Sequence, residues 1–184
     1  MSDPAGPDRS YAEAAAGGGG AGHTLAATEH AVAERLSGLE VNMPAMAAVQ
    51  NLYRAANAVR NHLEQTVLAP HQLTWTGWVV LWVVWIWREI ETRHVAAEAG
   101  ISKGTLTGVV KTLEGRGLLT RGTHPHDARR VLLTLTPDGE RLMAELFPLF
   151  NEQELALTGG LGPDATAGLA RQLRAIVVDL ENRS

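Results

Sequence analysis

Thirteen consecutive residues, Trp75 to Trp87, contain no charged side chain, and Trp75, Trp78, Val79, Leu81, Trp82, Val83, Trp85 and Ile86 make the run apolar almost all round. A helix with no polar face belongs in the middle of a fold. A bilayer would be the other solvent for it, but a spanning helix needs roughly 20 apolar residues, and Arg88 and Glu89 interrupt this run after thirteen. Thr74 provides an N-cap directly before it. Other helices are therefore expected to pack around a central tryptophan-rich one. The 45% hydrophobic content of the 184 residues suffices for a real core.

On the N-terminal side, Met1 to Gly22 is rich in Ala, Gly and Pro and carries Asp3, Asp8 and Glu13, which does not fit a secretory leader and predicts a disordered tail over 1–24. Apolar residues at Ala27, Ala31, Val32, Leu36 and Leu39 predict a short amphipathic helix, Leu25 to Leu39. Asn42 and Pro44 open a second helix, whose stripe from Met46 to Val67 keeps helical spacing until Pro70. The chain has no cysteine, which excludes disulfides and thiolate metal sites and makes a reducing cytoplasm the expected location.

Beyond the tryptophans, Ile90 to Thr92 is predicted as a short strand, followed by a helix with Val95, Ala96 and Ala99 inward and Gly100 closing it. Ser102 caps the next helix, which buries Leu106, Val109, Val110 and Leu113 and stops at Gly115 to Gly117. Two strands follow, Leu118 to Thr123 and Val131 to Thr136, joined by a polar tip from His124 to Arg130. Thr136-Pro137-Asp138 then opens a helix to about Thr158, and a last helix runs from Asp164 to about Leu180. Helix, glycine turn, capped helix and hairpin form the order of a winged helix-turn-helix, in which the second helix enters the major groove of DNA. Charge agrees: the chain carries −4 overall, whereas Ser102 to Thr136 holds Lys103, Lys111, Arg116, Arg121, Arg129 and Arg130 against Glu114 and Asp127, a local +4.

Three blocks carry a resemblance to a known family: Ala96-Ala97-Glu98-Ala99-Gly100-Ile101-Ser102-Lys103-Gly104-Thr105-Leu106-Thr107, Leu113-Glu114-Gly115-Arg116-Gly117-Leu118-Leu119, and Asp127-Ala128-Arg129-Arg130-Val131 through Thr136-Pro137-Asp138-Gly139. In order and spacing they resemble the multiple-antibiotic-resistance regulators (MarR family), over roughly Met43 to Leu180. The resemblance implies a mainly α fold with a small β-hairpin wing. Residues 74–136 form the winged helix-turn-helix domain, and residues 25–73 and 137–184 contribute dimerisation helices. It also implies a homodimer on the half-sites of a pseudo-palindrome, a repressor role and release by a small aromatic or phenolic effector. Ser102 would cap the recognition helix and touch a phosphate, and Thr105 and Thr107 would approach bases or phosphates. Lys103 and Lys111 would contact the backbone, Arg129 would enter or border the minor groove with Asp127 pairing to it and so orienting the wing, and Arg130 is a further DNA-contact candidate. Gly108 departs from the family, since many relatives place an arginine there.

Trp75, Trp78, Trp82 and Trp85 recur on one helix face, a stripe that more often makes core than ligand cage. In the family, however, an effector pocket lies beside this helix, so Trp75, Trp78 and Trp82 are candidate lining residues together with Tyr53, Arg60, His62 and His71. No histidine pair has the four-residue spacing of a strong metal site, and no metal or other cofactor is expected. No phosphate loop, nucleophile elbow or carboxylate pair points to an enzyme. Two alternatives stay open: a winged-helix architectural or protein-interaction module without effector, and a small-molecule-binding protein built on the tryptophan helix. The expected partners are double-stranded DNA, a second copy of the chain and an effector, with no membrane.

Overall fold

The computed structural model describes residues 24–124 and 127–183 and is mainly helical with one small antiparallel sheet. The predicted tail lies outside the described residues apart from Thr24. The chain divides into two compact units, Met1–Ala55 and Ala56–Ser184, with the boundary inside a helix. In the first, helix α1 (Leu25–Arg35) is capped by Thr24, whose hydroxyl accepts the Ala27 N–H at 3.2 Å. It ends four residues before the predicted Leu39. None of its residues is buried, so no packing supports carrying the helix through Gly38. Helix α2 (Met43–Leu63) starts where the sequence predicts, with Asn42 Oδ1 accepting the Ala45 N–H at 3.0 Å. Within this unit Asn51 Nδ2 donates to Glu29 Oε1 at 3.0 Å.

In the second unit the predicted helix does not reach Pro70 as one regular helix. After Leu63 it widens into a π-helical segment, Glu64–Leu68, and a 3-10 turn, Ala69–His71, that contains Pro70. Proline has no N–H to continue the ladder, and the extra residue per turn lets both Val67 and Leu68 be buried. Helix α3 (Trp75–Trp87) coincides with the charge-free run, and Thr74 caps it by accepting the Gly77 N–H at 3.1 Å. It buries Gly77, Trp78, Val80, Leu81, Val83 and Val84. Around it lie Leu63, Leu68, Val95, Leu106, Leu113, Leu133, Met143 and Leu146, each no more than 3% exposed. No described helix is long and apolar enough to cross a membrane.

The sheet has the order β1-β3-β2, formed by β1 (Glu89–Glu91), β2 (Leu119–His124) and β3 (Asp127–Leu135). Register pairs Ile90 with Leu133 and Thr120 with Thr134. Thr92 belongs not to the strand but to helix α4 (Thr92–Glu98), which it opens. The predicted seven-residue tip is also corrected, because β3 reaches back to Asp127 and β2 forward to His124 across an irregularity at Thr123/His124. Charged Arg129 and Arg130 read as loop in sequence, yet a solvent-facing hairpin accepts them as strand. Pro125 and His126 lie outside the described residues.

Helix α5 (Lys103–Gly115) precedes β2, and helix α6 (Pro137–Thr158) follows β3. Thr136 opens α6 twice over: its hydroxyl accepts the Gly139 N–H at 3.1 Å and donates to Gly117 O at 2.6 Å. Gly139 is required by close approach, since a Cβ there would collide with the Leu118 carbonyl. A 3-10 turn, Gly159–Leu161, then leads through Gly162, at φ +73°, into helix α7 (Pro163–Glu181), none of whose residues is buried.

Candidate nucleic-acid interface

Helices α4 and α5 are joined as the sequence predicts. Gly100 adopts φ +63°, which a side chain would strain, and the Gly100 and Ile101 amides return to Ala97 O and Ala96 O at 3.1 and 3.0 Å. Ser102 then starts α5, its Oγ accepting the Thr105 N–H at 3.1 Å. Buried Leu106, Val110 and Leu113 seat α5 on the core. The opposite face is solvent-exposed and carries Ser102, Lys103, Gly104, Thr105, Thr107, Gly108, Lys111 and Thr112. All five residues singled out on this helix therefore share the exposed face, with Lys103 and Lys111 making no ion pair or side-chain hydrogen bond among the described residues.

The arginines divide. At the wing, Arg129 has a 93% exposed side chain, and its Nε and backbone N–H both donate to Asp127 Oδ1, at 3.3 and 3.0 Å. The Arg129 backbone N–H, followed by its guanidinium, holds the Asp127 carboxyl below the usual carboxylate range; the Arg130 and His124 charges act in the same direction against a small desolvation cost. Arg130 instead folds onto the sheet, with Nη1 at 3.1 Å from Glu91 Oε1 and Nε at 3.4 Å from Asp127 Oδ2. Arg121 pairs with Glu114 at 2.9 Å. Arg116 donates through both terminal nitrogens to the carbonyls of Gln72 and His71, at 2.7 and 2.8 Å, tying the end of α5 to the turn before α3. Four of the six cations counted as a basic footprint thus have protein partners, Arg129 through Asp127 alone and with its side chain still 93% exposed, and the other two are Lys103 and Lys111.

Sequence reasoning missed Glu91. Its largely buried carboxylate, 14% exposed, takes Arg93 Nε at 2.9 Å and Arg130 Nη1 at 3.1 Å. The pairing arises because β1 lies against β3 with Glu91 opposite Leu132, two residues from Arg130. No local pattern announces a partner 39 residues away.

The tryptophan stripe becomes a ladder of rings shared with α6. Trp78 stacks on Phe150 with centroids 4.6 Å apart, Trp82 on Phe147 at 5.1 Å, and Trp75 lies 6.1 Å from Phe150. Trp85 packs against Phe147 and donates its indole N–H to Glu140 Oε2 at 2.9 Å. Of the ligand candidates, Trp78 is in the core at 4% exposure. His62 meets Gln153 Oε1 at 3.0 Å, the His71 carbonyl is held by Arg116, and Arg60 is exposed. Tyr53, in the first unit, is 73% exposed. Clefts of about 330 and 340 Å³ flank α5, one toward the sheet and one toward the start of α3, and neither is lined by these seven residues.

Residues 73–131, from the start of α3 into the wing, match the model of the MarR family. YwaE, an uncharacterized HTH-type transcriptional regulator of Bacillus subtilis (strain 168), is 33% identical over 155 residues, 83% of this chain and 91% of that one. The chain belongs to the MarR family. Solved structures agree with the assignment. Bordetella bronchiseptica BpsR, studied for regulation of its DNA binding by 6-hydroxynicotinic acid, aligns with a TM-score of 0.63 and 32% identity over 71% of this chain and 98% of that one. NadR in complex with 4-hydroxyphenylacetate aligns with a TM-score of 0.61 and 27% identity, covering 68% and 89%. The protein is a MarR-type, helix-turn-helix transcriptional regulator.

Proposed function

We propose that this MarR-type regulator is a repressor that binds a pseudo-palindromic operator as a homodimer and releases it when a small aromatic or phenolic acid binds. The observation that carries the reading is the exposed face of α5: a seated, capped helix presents hydroxyls, glycines and two lysines, the lysines making no ion pair among the described residues, beside a hairpin whose Arg129 extends into solvent. In this reading α5 enters the major groove, Ser102, Lys103 and Lys111 meet phosphates, and Arg129 lies at the minor groove. Arg130 acts one step back, bracing the wing against Glu91. Residues 74–136 form the DNA-binding domain, and 25–73 and 137–184 supply the dimer contacts. Supporting the dimer, α7 leaves Leu169, Ile176, Val177 and Leu180 between 42% and 58% exposed. Supporting the effector class, NadR and BpsR are associated with 4-hydroxyphenylacetate and 6-hydroxynicotinic acid. Binding would act by shifting the population of spacings between the two recognition helices.

A gel shift with the DNA upstream of the protein's own gene, titrated with 4-hydroxyphenylacetate and 6-hydroxynicotinate, tests the whole reading. A retarded band that weakens with either acid supports it. Absence of any band rejects DNA binding, a band indifferent to a broad panel of aromatic acids rejects the effector, and a monomer in sedimentation at micromolar concentration rejects the palindrome.

A further inference from the structure

We propose that α5 reads thymine methyl groups, so that the half-site of this regulator is defined by thymines in the major groove and not by a guanine hydrogen-bonded to a side chain. The inference rests on the reading that α5 lies in that groove, and it follows from what the exposed face has left to offer. The Thr107 hydroxyl donates to Lys103 O at 2.8 Å, and the Thr112 hydroxyl donates to Gly108 O at 3.1 Å. Ser102 and Thr105 bond to each other through their hydroxyls at 2.9 Å, while Ser102 Oγ also accepts the Thr105 amide, so one hydroxyl hydrogen remains between the two. A threonine hydroxyl turned back onto the preceding turn leaves its γ-methyl toward solvent.

Guanine presents two acceptors in the major groove, N7 and O6, and recognising them calls for paired donors. This face has no arginine or amide side chain to supply such a pair, and its two lysines end in ammonium groups that make point-like contacts from flexible stems. Thymine presents a methyl group, which a threonine methyl meets well. The glycines add reach. A Cβ built at Gly108 meets nothing within 4 Å, and one at Gly104 meets only Ser102 Oγ at 3.8 Å, so neither glycine is required by packing within the protein. Both lie on the side of α5 away from Leu106 and Val110, and without side chains they let base edges come close to the helix and to the Thr107 methyl.

The test begins by selecting duplexes from a random pool with the full chain, then remaking the best-bound duplex with deoxyuridine for each half-site thymine or 7-deazaguanine for each half-site guanine. Deoxyuridine removes only the 5-methyl group. Affinity is expected to fall about fourfold per methyl, and so about fifteenfold for one in each half-site, with 7-deazaguanine having less effect. Thr107→Val should retain the deoxyuridine penalty at the position it contacts, whereas Thr107→Ser should lose it. Unchanged affinity on deoxyuridine, or a larger loss on 7-deazaguanine, overturns the inference while leaving DNA binding intact. A pool from which no sequence is enriched overturns the DNA-binding reading beneath it.

Discussion

Helices α3 and α5 are each thirteen residues long and each starts on a hydroxyl cap, Thr74 in one and Ser102 in the other. Beyond that they are opposites. The first is apolar all round and buries six residues; the second buries three, Leu106, Val110 and Leu113, and its exposed surface is made mostly of threonines, glycines and lysines. Glycine and threonine are poor helix formers, so α5 is a weak helix by propensity, held by its cap, its apolar seat and the Arg116 clamp behind it. The comparison separates two tasks that share one domain. Residues of α3 build the core, and residues on the outer side of α5 stay exposed, where the proposed DNA contacts would be made.

That separation is most exposed to failure at Trp78. Replacing this buried, Phe150-stacked indole by alanine should cost about 3 to 5 kcal/mol in denaturant unfolding, as large aromatic truncations in cores do. A loss below about 1 kcal/mol would mean that the ladder is not the centre of the fold. Arg129→Ala should do the reverse, leaving the unfolding midpoint unchanged while removing one cationic contact from each subunit on DNA. At about 0.9 log units per neutralised phosphate, the salt dependence of binding should flatten by roughly 2 units. Retained slope and affinity in a folded variant would remove the wing from the interface.

A smaller effect sharpens the contrast within α5 itself. Gly108→Ala meets no neighbour within 4 Å, so it should stabilise the fold by up to about 1 kcal/mol while weakening operator binding. Gain in both properties would show that the glycine serves no close approach. The smallest change concerns Asp127. Because its carboxyl is held below the ordinary carboxylate value, its contribution to wing order is complete above that value and is lost as pH falls through the lowered one. A carbon-13 titration of the Asp127 carboxyl should show this depressed midpoint, and Arg129→Ala should raise it. Identical midpoints in the two proteins would mean that the Arg129 side chain does not pair with Asp127, so that Asp127 does not orient it.

Much of this was legible in the sequence because it is local. A charge-free run of thirteen residues has one place to go in water, and α3 occupies the whole of it. Capping by Thr74, Ser102 and Thr136 and the positive φ of Gly100 are decided within four residues, and the amphipathic spacing of α5 fixes which residues face outward. The order of helix, turn, helix and hairpin followed from these alone. What tertiary structure decided is long-range. Arg116, Arg121 and Arg130 look like Lys103 and Arg129 in a charge count, but folding brings Gln72 and His71, Glu114 and Glu91 to them across up to 45 residues. The same is true of the ring ladder, since one helix shows the tryptophan stripe and only the packing of α6 reveals that Phe147 and Phe150 cover it. Periodicity specifies which face of an element is inside; it carries no information about which partner will be waiting there.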